Sequence, residues 1–79
     1  MSTSEQSPRW GVVLFHSVQG AMAAERLLLA QGVAHKLITV PRQLSSNCGF
    51  CLRFEWAQRA QVEAALTSPS LGIEGIVAL

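Results

Sequence analysis

Short apolar runs alternate along the chain with stretches of helical spacing. Trp10–Phe15, "WGVVLF", is short, apolar and partly β-branched, and it predicts a buried strand. Ser17 follows as a candidate N-cap. The stretch behind it is rich in Ala, Leu, Glu and Arg, which are good helix formers. Ala21, Ala24 and Leu28 fall at i, i+3 and i+7, and Leu27 widens that stripe. The helix should reach Gln31 and stop at Gly32. Gly20 falls in the first turn, where its low helix propensity costs least. Ala34–Val40, "AHKLITV", predicts a second strand ended by Pro41, with His35 on its solvent side. After the polar stretch "PRQLSSNCG", Phe50–Phe54 alternates: Phe50, Leu52 and Phe54 on one side, Cys51 and Arg53 on the other. Trp56–Leu66 predicts a second helix with Val62, Ala65 and Leu66 inward, broken by "TSPS". Ile73–Leu79 predicts a last strand.

The resulting order, β-α-β-β-α-β, predicts an α+β fold: a ferredoxin-like two-layer sandwich with an antiparallel four-stranded sheet. Residues 1–9 are expected to form a flexible tail and residues 10–79 the single domain. Right-handed crossovers place the last strand beside the first and the third between the first and second. The first and second strands then end at the same edge. The Phe15–Ser17 turn and the loop after Val40 should share that edge. Only one sheet face is covered by helices, yet Val12 with Val13, Leu37 with Ile38 and Ile76 with Val77 make both alternating sets apolar. A homodimer or higher oligomer through the open face is therefore expected.

Charge narrows the function classes. Six basic and five acidic residues give a net charge of +1 with no basic stripe, so nucleic-acid binding has no support. The longest clean apolar runs, "VVLF" and "LLLA", fall far short of the ~20 residues of a membrane helix. The polar start "MSTSEQSPR" lacks the order of a signal peptide. A cytoplasmic protein with reduced thiols is the expectation, and there a C-x-x-C is reactive or metal-binding more often than a structural bridge.

Both cysteines fall in "SSNCGFC", as Cys48 and Cys51. The predicted topology puts Cys48 near the start of the first helix, where free N–H groups and the positive dipole end stabilise a thiolate. His16 and Arg42 belong to the same edge and add positive charge. Gly49 leaves room beside Cys48, and Ser45, Ser46 and Asn47 offer local donors. A closed zinc site needs four ligands, and one chain offers two cysteines and two distant histidines. No metal or cofactor is expected. Copper carriers of this fold hold their cysteines in the first strand–helix turn, which here is "FHSVQG". A thioredoxin-type site would need more chain after residue 48. The bland reading is that Cys51, on a strand, simply packs.

Pro41, Arg42, Ser45, Ser46, Cys48, Gly49, Leu52, Arg53 and Phe54 together resemble the signature of the selenium/sulfur carrier-like family, a group of small bacterial domains. The resemblance runs from Val12 to Val77 and takes in "AMAAERLLLAQGV" and "GIEGIVAL". It implies a carrier rather than a turnover enzyme, holding sulfur or selenium on Cys48 as a persulfide or selenosulfide. The implied partners are a cysteine desulfurase-like donor and an acceptor protein. The family's usual residue at position 51 is small and apolar, so Cys51 departs from the pattern. Two other readings stay open: a thiol-disulfide partner using Cys48 and Cys51, and a regulatory or interaction module with inert thiols.

Overall fold

β1 (Trp10–Phe15) runs inside a four-stranded sheet of order β2-β3-β1-β4, in which β2 is His35–Thr39, β3 is Phe50–Glu55 and β4 is Ile73–Ala78. The computed structural model describes residues 9–44 and 48–79. Each neighbouring pair of strands is antiparallel. α1 (Val18–Ala30) joins β1 to β2, and a second helical segment joins β3 to β4. β3 is thus inserted between β1 and β2, and β1 between β3 and β4. This is the ferredoxin-like α+β arrangement that the order of elements predicts.

α1 is set by its ends. Ser17 is extended at the N-cap, and its Oγ accepts the Gly20 N–H at 3.4 Å. At the other end Gln31 is the C-cap, and Gly32 takes a left-handed φ of +73°. Val33 N–H then donates to Leu28 O at 2.9 Å and Gly32 N–H to Leu29 O at 3.1 Å, the paired bonds of a Schellman turn. Gly20, Ala21, Ala24 and Leu28 form the buried stripe, while Leu27 stays 39% exposed and does not widen it. Gly20 has a reason beyond its place in the first turn. A Cβ there would run into the backbone carbonyl of Leu71, so only glycine lets α1 approach this closely.

The helix-side core joins Val13 and Phe15 of β1, Leu52 and Phe54 of β3, and the α1 stripe to Val62 and Leu66. Fully burying a Leu or Phe side chain contributes ~1.5–3 kcal/mol, so Leu28, Leu52, Phe15 and Phe54, all fully buried, dominate this layer. The second helical segment departs from a single helix over Trp56–Leu66. Trp56–Gln58 is a 3-10 turn, and α2 proper is Arg59–Ala65. Neither Glu55 nor Gln58 supplies a side-chain cap. Trp56 is held down instead, with its ring 6.0 Å from that of Phe54 and close against Gly11. A further 3-10 turn, Pro69–Leu71, is capped by Ser68 Oγ and buries Leu71.

The other sheet face carries a second apolar cluster of Val12, Leu14 and Cys51. Ile38, Val40, Leu44 and Val77 pack against it, so residues just after β2 already cover part of this face. His35 is not on the solvent side. It pairs in register with Phe54, and its side chain is 8% exposed, with Nδ1 2.8 Å from Val33 O and Nε2 3.7 Å from Glu25. The β2 alternation turns His35 and Leu37 toward the helices and Lys36 and Ile38 away. Among the described residues, no helix is long and apolar enough to cross a membrane.

Candidate functional site

The loop between β2 and β3 begins with Pro41, which cannot continue a strand ladder. Val40 N–H donates to Gly49 O at 3.0 Å, so the two ends of the loop are held together. Leu44 N–H donates to Pro41 O at 3.0 Å, closing a turn that leaves Arg42 exposed. Ser45, Ser46 and Asn47 lie outside the described residues. Gly49 takes a φ of +23°, outside the range that side-chain-bearing residues prefer. A Cβ there would meet no atom within 4 Å, so the requirement for glycine is conformational and not steric.

This bend sets where the two thiols go. Cys48 is 7% exposed and belongs to the helix-side core, in the cluster that holds Phe15, Ala21 and Leu52. Cys51 is fully buried in the opposite cluster, beside Val12 and Leu14. Its register partners, Leu14 on β1 and Ile38 on β2, fix that orientation. The cysteines are not bridged, and the sheet separates the clusters they occupy. Burial pushes the Cys51 thiol above the ordinary value, and a negative charge on Cys48 would push it further. The Cys51 Sγ–H points toward Thr39 O at 4.0 Å, a weak contact.

Of the other predicted site residues, the described His16 and Arg42 are both exposed. His16 is exposed and turns toward β4: its N–H donates to Gly72 O at 2.8 Å and its Nδ1 is 3.0 Å from Glu74 Oε2. One N–H of the α1 N-terminus is already taken by Ser17 Oγ. Among the described residues, no three His, Cys, Asp or Glu side chains come together as a metal ion would require. Arg53 has a contact that its place in the β3 alternation does not announce. On an open sheet face an arginine head ordinarily lies in water. The Arg53 guanidinium instead stacks 4.3 Å from the centroid of the Trp10 ring. The signal was available in the spacing: on the open face the β1–β3 pairing puts Arg53 opposite Val12, one pair along from Trp10.

A protein-family model described as "Putative Se/S carrier protein-like" matches residues 10–78. No curated protein and no solved structure matches the chain.

Proposed function

This chain belongs to that Se/S carrier-like family, and on that premise we propose that it carries sulfur or selenium on a single cysteine, Cys48. The observation that carries this reading is that the unbridged thiols pack into different apolar clusters, Cys48 in the helix-side core and Cys51 in the cluster on the open face. A reversible dithiol pair needs its sulfurs within bonding reach on one side of the backbone. Cys51 instead points into an apolar cluster with its thiol pKa raised, which makes it a packing group. Cys48 stands at the sheet edge in the loop between β2 and β3. Gly49 follows it directly, and the Val40 N–H to Gly49 O bond joins the two ends of that loop.

Loading is a sulfur transfer with no net oxidation. The Cys48 thiolate attacks the outer sulfur of a persulfide on a desulfurase-type donor. The donor's S–S bond breaks and its cysteine leaves as thiolate, while a new S–S bond forms at Cys48 Sγ. An acceptor repeats the step in the forward direction. Cys48 is shielded in the described conformation, so loading requires its thiol to become accessible to the donor. That same shielding favours a second reading, an interaction module with inert thiols. Intact mass after incubation with a cysteine desulfurase and cysteine separates the two. The carrier reading expects the mass to rise by one sulfur in the wild type and in Cys51→Ser, and not in Cys48→Ser. No gain in any of the three proteins leaves the inert module.

A further inference from the structure

Lys36 and Arg53, two of the chain's six basic side chains, stand directly opposite each other on β2 and β3. Like charges directly opposed across strands are destabilising. Among the described residues, His16 pairs with Glu74, His35 with Glu25 and Arg59 with Glu63, and neither Lys36 nor Arg53 takes part in these pairs. Arg9 adds a third cation, its Cζ 5.0 Å from the centroid of the same Trp10 ring on which Arg53 stacks. Arg53 Nε is buried without a hydrogen-bond partner. Beside these groups lies a cavity of about 260 Å³, lined by Trp10, Ala34, Lys36, Arg53, Phe54 and Glu55, with His35 at its wall. His35 is already engaged by Val33 O and Glu25. Glu55 is exposed and is the lining's one carboxylate, so cations outnumber it.

We propose that this cavity takes a carboxylate side chain from an acidic segment of a protein partner. An arginine held flat on an aromatic ring has lost most of its freedom already, and its planar fork matches a carboxylate with two parallel bonds. Lys36 supplies a point charge on the other flank. The cavity falls below the ~300–1,000 Å³ of pockets that enclose small ligands. It suits instead an anchoring side chain together with an apolar neighbour set among Trp10, Ala34 and Phe54. A carboxylate alone at such an open site would be screened by salt and gain little. The proposal stands whether or not Cys48 carries sulfur.

The test is a titration of the full chain with a short capped peptide of Glu, Asp and Leu, followed by the NMR signals of the Trp10 indole N–H and the Lys36 amide. Saturable shifts are expected at both, weakening with added salt. Arg53→Gln and Lys36→Gln should each weaken binding about tenfold, in line with loss of a charge-assisted hydrogen bond. Arg59→Gln is the control, since Arg59 stacks 5.1 Å from Trp56 on another element and already pairs with Glu63; it should bind as the wild type does. Lys36 is exposed, so its variant keeps the test decisive even where Arg53→Gln fails to fold. Binding unchanged in Lys36→Gln, or glutarate or inorganic phosphate binding as tightly as the peptide, overturns the proposal.

Discussion

At the scale of single residues the two thiols differ by environment, and the difference has measurable signs. Cys51 is fully buried and its pKa is raised, first by burial and then by the neighbouring Cys48. The folded chain therefore keeps the Cys51 proton at pH values where the unfolded chain has released it. Its contribution to stability is fully present below the ordinary thiol value of 9.0 and declines as pH rises from there through the folded value. Urea midpoints measured at neutral and at alkaline pH should fall less steeply for Cys51→Ala than for the wild type; equal slopes would sink the assignment. Alkylation gives a second check. In Cys48→Ser the remaining Cys51 thiol should resist iodoacetamide until urea is added, whereas in Cys51→Ser the less deeply buried Cys48 thiol should be alkylated faster in the native protein. Faster labelling of Cys51 would reverse the order of access. The face of Cys51 was legible in the alternation of "FCLRF", because side chains on a strand change sides at every residue. The burial of Cys48 was not. The composition of "SSNCG" is polar, but a local composition says nothing about which core the bend at Gly49 aims a side chain into.

At the scale of elements, what is local was readable and what is non-local was not. Both ends of α1 came from chemistry within a few residues: the Ser17 cap and the left-handed Gly32. Removing the cap in Ser17→Ala should cost about 1 kcal/mol. Gly20 tests the opposite case. Helix propensity alone favours alanine over glycine by roughly 0.5–1 kcal/mol, so a propensity argument expects Gly20→Ala to stabilise. The carbonyl of Leu71 lies where that Cβ would go, and a backbone atom does not swing aside. Overpacking costs ~1–3 kcal/mol, which outweighs the propensity gain. The urea midpoint of Gly20→Ala should therefore fall, with the slope of the transition unchanged. A stabilised variant would mean that α1 and the Pro69–Leu71 turn are not in close contact. The same division explains the second helix. Its apolar spacing over Val62, Ala65 and Leu66 was readable. The 3-10 start was not, because it depends on Trp56 lying against Gly11 and Phe54 of other strands.

At the scale of the molecule, the strand order followed from the order of elements and the handedness of crossovers, which leave few ways to close such a sheet. The helix-free face is the part with a consequence still to measure. Val12, Leu14 and Cys51 form its centre, with Ile38, Val40, Leu44 and Val77 around them. The chain covers part of this cluster itself through Val40 and Leu44, while Ile38 and Val77 remain half-buried. A chain of 79 residues has a small core, and an apolar strip of this kind is stabilised by a second copy laid across it. The charges on the same face decide the orientation. Lys36 and Arg53 lie beyond the apolar centre at one end, with Arg9 and Trp10. A two-fold axis through the middle of the strip sends these basic ends to opposite sides of the dimer, whereas a parallel overlay would stack them on one another. We therefore expect a homodimer whose association depends weakly on salt. Val77→Lys should dissociate it by placing a charge in the strip. Sedimentation showing monomer alone at high concentration would rule the dimer out. Dimerisation strengthened steeply by salt would point to the parallel overlay, in which screening relieves the stacked cations.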